Sequence, residues 1–245
     1  MASRIYHLIL AVLGTSALII SLYNSATYAG LSALEGISFS LSYFTVWSNI
    51  FCFIVAWALF ANPRRDDKIF RWLRLTSLVM IIITGLIYAL VLAASANPCG
   101  TGIYTNTVFH YIVPWATLLG FLIFGPRPRF TPDLLYKQLI IPTTWVIYTV
   151  LHGLVMVQRP GDRCSPDPEL RVPSPELLNW YPYPFINPDY KDGAPGAIIP
   201  GVTFDGYVGV AFNIVIVVIL GLVLGSILYG LDRMLSKGEK ATKLD

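Results

Sequence analysis

Five long stretches of this 245-residue chain contain no Lys, Arg, Asp or Glu: 5–34, 36–63, 75–126, 138–158 and 206–231. A helix that crosses a bilayer needs about 20 mostly apolar residues. Four of the stretches hold one crossing each. The third is 52 residues long and is interrupted by Asn97-Pro98-Cys99-Gly100, a turn-forming cluster, so it holds two. The pattern predicts an all-α integral membrane protein with six transmembrane helices in a single domain. The helices are placed at about 5–24, 39–61, 74–95, 107–125, 138–157 and 207–230. The apolar runs are too continuous for the alternating strands of a membrane barrel. Charged residues are 13% of the chain, against roughly 25% in soluble domains, too few to cover a wetted surface. This excludes a soluble enzyme, a disordered chain and a nucleic-acid-binding domain. The net charge of +3 is no signal for a phosphate backbone.

The placement of Lys and Arg sets the expected orientation. One side receives Arg4, then Arg64, Arg65, Lys68, Arg71 and Arg74, then Arg127, Arg129 and Lys137, then Arg233, Lys237, Lys240 and Lys243, which is 13 of 17. Both termini, including a tail over 232–245, are expected in the cytoplasm. The other side holds one long loop, 158–205, with 10 of the 17 prolines. Proline fixes φ and cannot continue a helix, so this loop reads as extended or turn-rich chain. Its centre carries Trp180, Tyr181, Tyr183 and Phe185. These aromatics read either as an anchor at the headgroup level or as a lid over a cavity between helices. Cys99 and Cys164 both fall on this outer side, where oxidation is allowed, and are expected to pair. Cys52 lies within the second span as a packing residue.

Polar side chains inside a span are costly, and each is a functional candidate. At 1.5 Å per residue, Thr45 lies roughly 9 Å below the outer edge of the second helix. Asn49 follows one turn later on the same face. His110 lies roughly 5 Å down the fourth helix, and His152 roughly 8 Å down the fifth, with Tyr148 one turn below it. Three helices thus bring these five residues to a similar depth beneath the aromatic loop. Each has a bland alternative. A Thr commonly bonds its own i−4 carbonyl. Asn49 and the histidines can tie helices together, and Tyr148 can pack with its hydroxyl on a carbonyl. His7, near the cytoplasmic end of the first helix, reads as structural. Pro114 removes the N–H that would bond the His110 carbonyl, which predicts a kink there.

A hydroxyl beside an imidazole is the minimum equipment for acyl transfer. The neutral ring takes the proton as the Thr45 oxygen attacks an ester carbonyl, then returns it to the leaving alcohol. Asn49 or Tyr148 is a candidate to hold the oxyanion, His152 a further positioning candidate, and Ser48, one turn from Thr45, a rival nucleophile. No CxxC, HExxH or GxGxxG stands at a useful position, and two His without a carboxylate make a poor metal site. No metal and no cofactor is expected.

Three motifs occur in order: Tyr43-Phe44-Thr45-Val46-Trp47-Ser48-Asn49, Phe109-His110-Tyr111-Ile112-Val113-Pro114-Trp115 and Trp180-Tyr181-Pro182-Tyr183-Pro184-Phe185. With six spans, the chain resembles the family of androgen-induced-gene proteins and androgen-dependent regulators of tissue factor pathway inhibitor, in its bacterial form. That family consists of multi-pass membrane hydrolases of fatty acid esters of hydroxy fatty acids. The resemblance implies Thr45 as nucleophile and His110 as base. It also implies membrane lipids and an acyl ester as partners and a bacterial plasma membrane as location, while the depth of the five polar residues puts the site toward the outer leaflet. His110 and Pro114 are four apart where the animal pattern has five, and 160–178 reads as an insertion. Two other functions fit the same sequence: a lipid-binding or transport protein that breaks no bond, and an accessory subunit docking through its loop.

Overall fold

The computed structural model describes residues 1–28, 31–125, 127–155, 164–171 and 181–237. Among these, six helices are long and apolar enough to cross a membrane: Ala2–Ala26, Phe44–Ala61, Lys68–Ser95, Thr101–Ile123, Leu134–Val155 and Gly206–Leu235. The protein is a multi-pass helical membrane protein. No strand occurs among the described residues beyond an isolated bridge between Lys191 and Ala194.

The first crossing is α1, Ala2–Ala26. A short α2, Ala33–Leu41, follows, then α3, Phe44–Ala61. The second span therefore starts at Phe44 and not near 39. Ser32 and Glu35 explain the separate helix: the Ser32 hydroxyl accepts from the Glu35 N–H, and the Glu35 carboxylate accepts from the Ser32 N–H at 2.7 Å. This reciprocal cap starts α2 early. The chain then breaks at Tyr43, whose extended backbone (φ −80°, ψ 126°) caps α3.

Helix α4, Lys68–Ile87, begins at Asp67, whose carboxylate accepts from the Phe70 N–H at 3.0 Å. It continues through a π turn at Tyr88–Leu92 and a 3-10 turn at Ala93–Ser95. The fourth crossing is built the same way: α5, Thr101–Thr107, a π turn at Val108–Ile112, then α6, Val113–Ile123, with Pro114 in its first turn. The missing N–H of Pro114 removes one α-helical bond to this segment, and the wider π turn takes up the break. The short α7, Leu134–Lys137, leads into α8, Ile140–Val155. The last crossing is α9, Gly206–Leu235.

Helix α4 is the hub. Leu75, Leu78, Met80 and Ile81 on it have no exposed surface, and it packs against α3, α6 and α9. Inside a bilayer, helices gain nothing by leaving water, so close packing and interhelical hydrogen bonds hold them together. Gly14 shows the first effect: a Cβ there would overlap the Phe53 ring, so only glycine allows α1 and α3 to approach this closely. Tyr6, whose hydroxyl donates to the Ala116 carbonyl at 2.5 Å, and Ser48, bonded to Thr84 at 2.8 Å, show the second. The outer faces of α1, α8 and α9 carry exposed Ile9, Val12, Ile147, Leu151, Val215 and Ile219, the surface expected against lipid.

Candidate functional site

At one end of the bundle, the segment after Tyr181 folds inward and not out into solvent. Tyr181, Tyr183, Phe185 and Ile186 are all buried and pack with Trp145 and Val210. Gly153 permits this, because a Cβ there would overlap the Tyr181 ring. Asn213 on α9 fixes the segment by donating to the carbonyls of Phe185 and Gly196 at 2.9 and 3.0 Å. Trp180 lies outside the described residues. A disulfide joins Cys99, just before α5, to Cys164.

Beneath this segment the Thr45 hydroxyl lies 3.2 Å from Nε2 of His110. The other ring nitrogen, Nδ1, is 3.1 Å from the Asn106 carbonyl. A carbonyl can only accept, so Nδ1 carries the proton and Nε2 presents its lone pair to the hydroxyl. Tyr88 stacks on the imidazole at 3.9 Å between centroids, and its own hydroxyl accepts from Asn106 at 2.8 Å. Asn106 therefore holds both rings. The two π turns start at Tyr88 and end just beyond His110, as such turns commonly do at functional sites.

Tyr183 completes the group. Its oxygen accepts from the Thr45 backbone N–H at 3.4 Å and lies 3.4 Å from the Thr45 hydroxyl. Thr45 is in the first turn of α3, where backbone N–H groups have no helical partner and the helix dipole is positive. Burial pushes the Tyr183 phenol above its usual range, against the lowering effect of its Thr45 hydrogen bonds. The group is a neutral donor at physiological pH.

A cavity of about 130 Å³ opens from Thr45, Tyr88 and Tyr183 and runs between α4, α8 and α9. Its walls include Phe44, Ile83, Ile87, Val146, Ile214 and Val217, and its far end is marked by Gln138 and Gly221. From Val146 to Gln138 is eight residues, roughly 12 Å of helix. The shape suits one extended hydrocarbon chain with a polar group at the Thr45 end.

The other residues singled out in the sequence do not join this group. Ser48 is fully buried, bonded to the Thr45 carbonyl and to Thr84. Asn49 is also fully buried and donates to the Thr45 carbonyl at 2.8 Å. Both brace the first turns of α3 without touching the Thr45 hydroxyl or His110. His152 and Tyr148 form a second cluster. His152 Nδ1 lies 2.8 Å from the Ser42 hydroxyl and Nε2 lies 3.3 Å from that of Ser38. The Tyr148 hydroxyl donates to the Ser38 carbonyl at 2.9 Å. Trp145 and Thr149 donate to the Ser42 carbonyl at 2.9 and 3.2 Å. One face of α8 thus grips the chain break between α2 and α3. His7 Nδ1 donates to the Ser3 carbonyl at 2.7 Å, a bond within its own helix.

Sequence reasoning did not select Tyr88, Asn106 or Asn213, and it placed Tyr183 only in the covering loop. No protein-family model, curated protein or solved structure matches this chain. A six-span helical membrane protein with a half-buried Thr–His pair under a buried Tyr, at the head of an apolar cavity, is what the fold and geometry define.

Proposed function

We propose that the protein is an intramembrane hydrolase of lipid esters, with Thr45 as nucleophile and His110 as general base. The observation that carries this reading is the 3.2 Å contact between the Thr45 hydroxyl and the unprotonated Nε2, at the mouth of a cavity shaped for an acyl chain. That distance is within reach for proton transfer. The Thr45 oxygen attacks the ester carbon while its proton passes to Nε2. The carbonyl oxygen becomes an oxyanion, stabilised by the Tyr183 hydroxyl and the Thr45 N–H. The proton returns to the departing alkoxide oxygen as the C–O bond breaks, which leaves the acyl group on Thr45. Water, deprotonated by the same imidazole, then releases the fatty acid. The resemblance to hydrolases of hydroxy-fatty-acid esters suggests that substrate class.

The Lys/Arg bias supports an orientation with both termini in the cytoplasm and the 158–205 segment outside, and the resemblance suggests a bacterial plasma membrane. The Cys99–Cys164 disulfide agrees with it, since such bonds persist in oxidising compartments. The site then lies toward the outer leaflet.

The purified protein should hydrolyse a fatty acid ester of a hydroxy fatty acid. A fluorophosphonate probe followed by peptide mapping should label Thr45. Labelling of Ser48 in its place, or turnover surviving in both Thr45→Ala and His110→Ala, rejects the assignment. A second reading rests on one observation: Nδ1 of His110 meets a carbonyl and not a carboxylate, so the imidazolium lacks the usual counter-charge. In that reading the cavity binds lipid without cleaving it, and lipid recovered intact after prolonged incubation supports it.

A further inference from the structure

The opposite end of the bundle gathers four guanidinium groups, those of Arg71, Arg74 and Arg129 buried and that of Arg127 half-buried. Arg71 and Arg74 come from α4, and Arg127 and Arg129 from the connection between α6 and α7. Arg74 and Arg129 are each 2% exposed. Among the described residues they face two carboxylates, Asp66 and Asp232; Asp66 is engaged through both oxygens, and Asp232 through Oδ2 only, its Oδ1 being buried without a hydrogen-bond partner. Asp66 takes a two-pronged contact from Arg71, at 2.8 and 2.7 Å. Its nearest approach to Arg129 is only 3.9 Å. Asp232 spends one oxygen on the backbone N–H groups of Arg129 and Phe130, at 2.6 and 2.9 Å. Nε of Arg74, and Nε and Nη2 of Arg129, are buried with no hydrogen-bond partner. The Arg129 guanidinium lies over the Phe70 ring, 5.5 Å from its centroid, one turn of α4 before Arg74. Burial lowers the Arg129 pKa to about 10, so the group stays charged at neutral pH.

The three buried cations outnumber the two carboxylates by one, and unused donors remain in a low-dielectric interior. An uncompensated buried charge is strongly unfavourable. We propose that Arg74 and Arg129 form a binding site for a phosphate group. Two planar forks with free N–H donors match phosphate oxygens in geometry as well as in charge. The depth also fits. The span that carries Arg74 has 28 residues, roughly 42 Å of helix, close to the thickness of a bilayer with its headgroups. Arg74 is six residues from its start, roughly 9 Å in, near the level where headgroups give way to hydrocarbon. A phospholipid headgroup presents its phosphate there, and inorganic phosphate offers the same oxygens. The site does not depend on the Thr45 chemistry.

The test uses the full chain in maltoside micelles, which contain no phosphate. Tm is measured while short-chain phosphatidylglycerol, diacylglycerol or inorganic phosphate is added. A ligand at a hundredfold excess over its Kd should raise Tm by roughly 5–10 °C. A rise with phosphatidylglycerol alone assigns the site to a lipid headgroup, and a rise with both phosphate compounds opens it to the free ion. Diacylglycerol should give none. Arg74→Gln and Arg129→Gln should each lose the shift, while Lys137→Gln, at an exposed ion pair, should keep it. If the Arg variants do not fold, the wild type decides through native mass spectrometry, which should show one phosphate-bearing ligand per chain. No shift and no retained ligand in the wild type overturns the proposal, as does a full shift in both folded Gln variants.

Discussion

Among the described residues, the tightest hydroxyl–imidazole contact is not the one suited to chemistry. Ser42 and His152 are 2.8 Å apart, Thr45 and His110 3.2 Å. Ser42 has no exposed surface, its hydroxyl also reaches the Ser38 carbonyl at 3.3 Å, and both ring nitrogens of His152 face hydroxyls. Thr45 opens onto the cavity, and its imidazole partner is fixed in one tautomer by a carbonyl. Access for a third molecule and an unshared lone pair separate a reactive pair from a structural one. A short distance alone does not.

The comparison can be broken by substitution. The largest effect is expected from His110→Ala, a loss of about 10²–10⁴-fold in kcat for ester hydrolysis. His152→Ala should leave kcat within a few-fold. Equal losses in the two variants would erase the distinction. Tyr183→Phe comes next, with a drop of about 10²-fold in kcat and little change in KM, because the phenol is needed only when the oxyanion forms. Ser42→Ala or Thr149→Val should act on stability, lowering it by roughly 1 kcal/mol in chemical denaturation with turnover preserved.

The smallest effect concerns the cap of α2. Bonds from the Ser32 hydroxyl and backbone hold the Glu35 carboxyl below its ordinary value of 4.5. A depressed pKa stabilises the fold above the unfolded value, and that contribution disappears as pH falls through the folded one. The small Tm advantage of the wild type over Glu35→Gln should therefore be full above about pH 5 and vanish in stronger acid.

The six spans were legible because charge is excluded from hydrocarbon, and the absence of Lys, Arg, Asp and Glu marks each crossing. Thr45 and His110 were legible as polar groups inside spans at a similar depth. The break before Phe44 was not. Ser42 and Tyr43 carry neither Gly nor Pro to mark a turn inside an apolar run. Asn49, Tyr148 and His152 were grouped with Thr45 by depth, yet Asn49 and Tyr148 bond carbonyls, and His152 hydroxyls, of the chain around it. Height along a helix changes by 1.5 Å per residue while direction changes by about 100°, so an offset of one residue preserves depth and loses the face. Tyr88 gave no signal, since a Tyr in an apolar stretch looks like packing until a ring is found stacked on it.

The π turns at Tyr88–Leu92 and Val108–Ile112 impose a counting rule on this site. Each inserts one residue more than an α-helical turn accommodates, which turns everything beyond it by about 100° about the axis. Deleting a single residue from the second turn ahead of His110 turns the imidazole away from the Tyr88 ring, though the composition of the span barely changes. A distant relative with a shorter count just ahead of its proline must therefore present its imidazole from another position, and matching the two sequences ring for ring requires a gap of one.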